Sequence, residues 1–258
     1  MQPATEDARR AVAESFAGAR APAVMVDFDG TISEIVATPD AARPAAGAVE
    51  VLSRLAAGGV ATTVVSSRPA SFLLEVLHGL DPGVRLVGHS GLETVVDGRI
   101  EVDRAVAGWT DVVADARGQV ERSLPDGVHL EDKGLSFTLH FRGRPEAGPA
   151  ATELAATVAA GSGLSMKPGR MNVELRPPVA VDKGTAVRSL LTPALDWALF
   201  AGDDVVDLPG FEAVHQAALH GVAVVVASAE APSGLLDAAD VVVADPAELV
   251  GLLEHLRR

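Results

Sequence analysis

The amino-acid sequence predicts an α/β fold in two parts: a parallel sheet with flanking helices, interrupted by an inserted α+β segment. Three observations predict it. Short apolar, β-branched runs recur at residues 23–26, 60–65, 86–87, 197–201, 222–226 and 241–243, mostly separated by helical stretches. That βα alternation is the pattern of right-handed crossovers joining parallel strands. From about residue 100 to residue 178 the rhythm changes to helix, two strands, helix, two strands, which suits an antiparallel sheet. Finally, a 258-residue chain that is 48% hydrophobic can bury one large core and a smaller second one.

Taken in order, residues 5–20 are Ala-rich and amphipathic and read as a first helix outside the core. The strand 23–26 runs directly into Asp27-Phe28-Asp29-Gly30-Thr31. A Pro-bearing loop over 40–46 leads to a helix over 48–57, which Gly58 and Gly59 end. The strand 60–65 ends in Ser66-Ser67-Arg68-Pro69 before a helix over 70–77. The strand 86–87 precedes Gly88-His89-Ser90-Gly91-Leu92-Glu93. Asp97-Gly98-Arg99 reads as a linker into the insertion. There a helix is expected over 109–124 and a hairpin over 129–142 around Lys133-Gly134. A second helix over 149–160 and a second hairpin over 164–176, around Pro168-Gly169, follow. Pro177-Pro178-Val179 reads as the return linker. Helices over 183–191, 209–219 and 246–256 complete the βα part. The expected division is therefore a core of residues 1–99 and 179–258 with an insertion over 100–178.

Composition narrows the function. Two Trp, seven Phe and no Tyr mean an aliphatic core, and the absence of Cys excludes disulfides, thiolate metal sites and Cys nucleophiles. A formal charge of −14 argues against a nucleic-acid surface. An anionic ligand would then need a locally positive site. Residues 1–20 lack the charged and apolar regions of a signal peptide, and no apolar run approaches a membrane span. A soluble, cytoplasmic protein with no membrane partner is the expectation. Lysine occurs only at 133, 167 and 183 among 21 basic residues, so each is a candidate for a place where a compact ammonium is required.

The chemistry centres on residues 27–31. Alternation along an extended segment puts Asp27 and Asp29 on one side, and Gly30 permits a sharp exit. Adjacent carboxylates repel. Either the pair is a solvated acidic loop, or a cation such as Mg²⁺ sits between them. At the next strand end, the Ser66 hydroxyl and the following backbone N–H groups could hold an oxyanion, with Ser67 equally able to cap the helix.

The spelling Asp27-Phe28-Asp29-Gly30-Thr31, then Ser66, then Asp182-Lys183-Gly184, then Gly202-Asp203-Asp204, resembles the four motifs of the haloacid dehalogenase (HAD) superfamily. The resemblance implies a Rossmann-like core in which Asp27 attacks phosphorus and forms an aspartyl-phosphate. It makes Asp29 the general acid and base, with Ser66 and Lys183 holding the phosphoryl group. Mg²⁺ would be held by Asp27, the backbone carbonyl of Asp29, Asp203 and Asp204. The insertion has the length and place of a type 2 cap. Its stretch from Glu131 to Arg142 resembles the E-x-K-x-x-S-x-x-x-H-Y-R stretch of trehalose-6-phosphate phosphatases, and Gly169 to Pro177 resembles their G-K-x-x-x-E-I-R-P. Lys133, Arg170, Asn172 and Glu174 should share one face of its sheet. By this resemblance the substrate-binding set is Arg68, Glu93, Lys133, His140, Arg142, Arg170, Asn172 and Glu174. The implied enzyme is a monomeric phosphatase that releases phosphate from trehalose 6-phosphate, a small sugar phosphate. The chain departs from the family at Ser67, where Gly is usual, in the Gly88–Glu93 element, where His is shifted by one, and at Val206 and Leu208, where Thr and Glu are usual. Alternatives are a phosphatase or phosphomutase for another sugar phosphate, and an inactive sugar-phosphate-binding regulatory relative.

Overall fold

The computed structural model describes residues 6–36, 38–169, 171–227 and 233–256. It divides into two units, Met1–Glu101 with Val181–Arg258 and Val102–Ala180. In the first, helix α1 (Glu6–Ala17) precedes β1 (Pro22–Val26), whose five residues are all buried. That is why β1 is apolar without alternation: both faces of its sheet are covered. There follow α2 (Ala48–Ala57), β2 (Ala61–Val65), α3 (Ala70–Val76), β3 (Arg85–Gly88), β4 (Glu93–Val96) and β5 (Arg99–Val102). The second unit contains α4 (Thr110–Glu121), β6 (His129–Asp132), β7 (Phe137–His140), α5 (Gly148–Ser162), β8 (Ser165–Gly169) and β9 (Asn172–Arg176). The chain returns to the first unit through α6 (Lys183–Leu190), β10 (Trp197–Gly202), α7 (Leu208–Gln216), β11 (His220–Val226), α8 (Ser233–Asp237), β12 (Val241–Val243) and α9 (Pro246–Glu254).

The large sheet has the order β12-β11-β10-β1-β2-β3-β4-β5. It is parallel from β12 to β3. Residues of α1, α2 and α9 join one face's core; α1, expected outside it, buries Val12 and Phe16 there, and the Phe16 ring meets Trp197 edge-on at 5.3 Å. Residues of α6 and α7 join the core on the other face. Register matters most at the centre. Val26 lies level with Ala201 of β10 and Val64 of β2, so Asp27, Ser66 and Asp203 leave three adjacent strands at the same edge. Ligands of open parallel sheets bind at that carboxyl edge.

One expected linker is a turn. Asp97 and Gly98 have φ of 50° and 73°, the left-handed pair of a two-residue hairpin turn, and they join β4 to β5. The expected strand 86–87 is accordingly the start of an antiparallel extension, β3 pairing with β4. The short helix α8 spans only five residues, too few to show a helical period in the sequence.

In the second unit the sheet order is β6-β7-β9-β8, all antiparallel. Phe137, Leu139, Val173 and Leu175 pack with Val113, Ala116 and Val120 of α4 and Ala151, Ala155 and Val158 of α5. Glu131, Thr138 and Glu174 are cross-strand neighbours on the opposite face, as are His140 and Asn172. Pro168 and Gly169 lie in β8, paired with Val173 and Asn172, rather than in the turn. Among the described residues no helix is long and apolar enough to cross a membrane.

Candidate active site

Asp27 continues β1 by one residue, its N–H donating to Ala201 O at 2.9 Å. Lys183 opens α6, a start fixed by a capping box in which Asp182 accepts from Thr185 N and Thr185 returns the bond. The Lys183 ammonium is 2.7 Å from Asp27 Oδ1 and 2.7 Å from Asp207 Oδ1. Asp207 ends the one-turn 3₁₀ segment Val205–Asp207 and is completely buried. Its Oδ2 accepts from the N–H groups of Asp203 at 3.0 Å and Asp204 at 3.1 Å. Gly202 and Gly30 leave the room this needs: a Cβ on Gly202 would collide with Asp207, and one on Gly30 with the Asp203 carboxylate.

Asp27, Asp203 and Asp207 each place a carboxylate oxygen within 4.8 Å of the others, and all three are buried. One ammonium faces three carboxylates. Burial, then Asp207 and Asp203, push Asp27 well above the usual carboxylate range against the pull of Lys183. Burial and Asp207 likewise raise Asp203 to about 7. Burial alone would lower Lys183, but Asp27 and Asp207 more than reverse it and keep the ammonium charged. The cluster thus carries more negative charge than its surroundings neutralise, and its donors are all carboxylate oxygens. Such a set fits a hard divalent cation. Asp27 and Asp203 could hold it, whereas both oxygens of Asp207 already accept, one from Lys183 and the other from two backbone N–H groups. Asp204, expected as a ligand, is exposed and turns its carboxylate to cap Val205 N at 2.6 Å.

The Asp29 side chain is 40% exposed. Arg68 grips both its oxygens, Nε at 2.8 Å and Nη2 at 2.7 Å. The guanidinium lies over the Phe72 ring at 4.5 Å, and Phe72 meets the buried Phe28 edge-on at 5.8 Å. Ser66 is buried, with its Oγ accepting from Arg68 N at 3.1 Å. The stretch after β3 clasps this loop: His89 N donates to Arg68 O at 2.9 Å and Ser90 N to Ser66 O at 2.8 Å. His89 and Ser90 do so with φ of 47° and 57°, sparsely populated for non-glycine residues. Glu93 Oε2 accepts from Ala70 N at 2.7 Å, at the start of α3. Arg68 and Glu93, expected to meet substrate, are therefore both engaged with the core's own loops.

On the polar sheet face of the second unit, Glu131 and His140 are 2.7 Å apart. Lys133 lies 3.7 Å from Glu131 and 3.8 Å from Glu174, which accepts from Ser136 Oγ at 2.8 Å. Between the two glutamates sits Thr138, its buried hydroxyl without a hydrogen-bond partner. Asn172 shares the face opposite His140. Arg142 is exposed in the turn after β7, and Arg170 lies outside the described residues. Sequence reasoning missed Asp207, Ser136 and Thr138. Asp207 had a signal, as the third acid after β10; Thr138 had only its place in an alternating strand.

Residues 25–239 match the trehalose-phosphatase profile. The chain belongs to the trehalose-phosphatase family. It is 37% identical over 219 residues to trehalose-phosphate phosphatase of Mycobacterium marinum, covering 80% of this chain and 54% of that protein. It is 36% identical over 232 residues to the Mycobacterium avium trehalose-phosphate phosphatase, covering 83% and 56%. The chain thus spans about half the length of these curated relatives. A solved trehalose-6-phosphate phosphatase from Aspergillus fumigatus superposes with a TM-score of 0.67 at 27% identity, covering 99% of this chain and 98% of that one. The fold is shared with that structure and with a haloacid dehalogenase-like hydrolase from Bacteroides thetaiotaomicron, at a TM-score of 0.64 and 15% identity.

Proposed function

We propose that this trehalose-phosphatase family member is a Mg²⁺-dependent phosphatase that hydrolyses trehalose 6-phosphate to trehalose and phosphate. The observation that carries the reading is the buried Asp27–Lys183–Asp207 array beside Asp203, in a chain that matches the family from β1 to α8. Asp27 is the nucleophile. Its carboxylate oxygen bonds to phosphorus as the bond from phosphorus to the sugar oxygen breaks, and the departing oxygen takes a proton from Asp29. Water then attacks the aspartyl-phosphate, gives its proton to Asp29, and leaves phosphate and free Asp27. Lys183 holds the negative charge that develops on the transferring group, and Asp207 holds Lys183 in place. Asp27 and Asp203 would hold Mg²⁺, which would supply positive charge to offset the carboxylates and act as a Lewis acid toward the phosphoryl group.

The second unit serves as the cap that recognises the sugar. Its polar face offers carboxylates at Glu131 and Glu174 and cationic and amide donors at Lys133 and Asn172. Paired donors and acceptors of this kind suit vicinal hydroxyls. The test is phosphate release from a panel of sugar phosphates. A kcat/KM for trehalose 6-phosphate well above those for glucose 6-phosphate and mannose 6-phosphate is expected. Equal or greater turnover of another member would replace the substrate, and no release from any ester would point to a binding or regulatory role.

A further inference from the structure

Arg68 is held through its backbone and its guanidinium. Its N–H donates to Ser66 Oγ, its carbonyl accepts from His89 N, its guanidinium rests on Phe72, and its Nε and Nη2 fork the Asp29 carboxylate. The Arg68 side chain is 17% exposed and that of Asp29 is 40% exposed. A flat guanidinium held at this many points fixes the plane of the carboxylate it grips. Each Asp29 oxygen accepts one bond from Arg68 and keeps a second acceptor position, on a side chain that solvent still reaches. A residue reaching for a sugar would present its donors outward; Arg68 turns two of them onto Asp29.

We propose that Arg68 is a positioning residue that orients the Asp29 carboxylate for proton transfer, rather than a substrate-binding residue. The proposal rests on the reading of Asp29 as the acid and base of a phosphatase. It also gives the left-handed His89–Ser90 stretch a purpose, since its N–H groups hold the backbone of the Ser66–Arg68 loop and Glu93 holds the N–H of Ala70 beyond it. The backbone strain is localised where it keeps Arg68 aimed.

Steady-state kinetics on trehalose 6-phosphate test this with Arg68→Ala, Arg68→Lys, Asp29→Asn and the double variant Arg68→Ala/Asp29→Asn. Arg68→Ala should lower kcat by about a hundredfold, the scale of a misplaced catalytic group, and leave KM within about threefold. Arg68→Lys keeps the charge but not the fork, so it should recover less than about tenfold. In the Asp29→Asn background, Arg68→Ala should cost less than about twofold more, because both act through one group. A raised KM with kcat preserved, or losses that multiply in the double variant, would overturn the proposal in favour of substrate contact. Near-complete rescue by lysine would overturn it in favour of charge alone. Wild-type protein that releases no phosphate would overturn the function reading and this proposal together, whereas an active wild type with multiplying losses would overturn this proposal alone.

Discussion

Asp207→Asn is the sharpest probe of how the site is built. The carboxylate accepts on both oxygens, from Lys183 on one side and from two backbone N–H groups on the other. An amide can accept on only one side. Whichever way it is placed, its NH₂ meets either the Lys183 ammonium or the Asp203 and Asp204 amides, donor against donor. Breaking a buried, hydrogen-bonded ion pair costs about 3–5 kcal/mol. Here the loss of one negative charge also relieves the crowding that raises Asp27 and Asp203, which places the cost toward the lower end. At roughly 2–4 °C per kcal/mol for a chain of this size, Tm should fall by about 6–12 °C. Turnover should fall by at least about tenfold, since Lys183 and the Asp203 loop lose their common anchor. Differential scanning calorimetry in chelator reads the first, and malachite-green phosphate assays on the same preparations in Mg²⁺ read the second. A variant with wild-type Tm and turnover would refute the claim that Asp207 anchors the cluster.

Other expectations follow from the same geometry. In metal-free protein Asp203 keeps its proton up to about pH 7, whereas the unfolded chain loses it near 3.8. The folded state then binds more protons, so this contribution to stability is full below about pH 4 and is lost as pH rises through about 7, with Asp27 acting in the same sense. Tm in EDTA should fall from about pH 5 to about pH 8 and saturating Mg²⁺ should flatten the fall; a flat or rising Tm in EDTA would count against the crowded cluster. Gly30→Ala puts a methyl against the Asp203 carboxylate at a φ of 72°, and should abolish most turnover and cost about 1–3 kcal/mol in urea unfolding. Wild-type turnover in that variant would mean Asp203 does not need its present position. Glu174→Ala removes a charged acceptor worth about 1.5–3 kcal/mol, so kcat/KM for trehalose 6-phosphate should drop about ten- to a hundredfold while p-nitrophenyl phosphate hydrolysis changes less than about twofold. Equal losses on both substrates would make Glu174 a folding residue.

Local pattern made much of this legible. A strand buried on both faces has to be apolar throughout, so β1 announced itself, and the acids that follow it stand at a strand end because nothing else in the run is polar. The insertion's strands alternate because only one face meets α4 and α5, which made Glu174 and Asn172 visible as members of one face. What stayed hidden depends on partners distant in the chain. The hairpin of β4 and β5 exists because β3 offers an edge, so Asp97-Gly98 read alone looked like a linker. Arg68 and Asp29 are 39 residues apart, and only the register of β1 against β2 brings their loops together. Asp207 follows two exposed valines, Val205 and Val206, which disguise a buried acid as part of an ordinary loop.

The central claim is that Asp27 is the nucleophile of a trehalose-phosphate phosphatase. Phosphate release from trehalose 6-phosphate by wild type and by Asp27→Asn, side by side in Mg²⁺ and with folding checked by circular dichroism, measures it most directly. Robust release by wild type is expected, with a loss of at least about a thousandfold in a folded Asp27→Asn, the scale of removing a covalent nucleophile. Comparable release by the two proteins would contradict it.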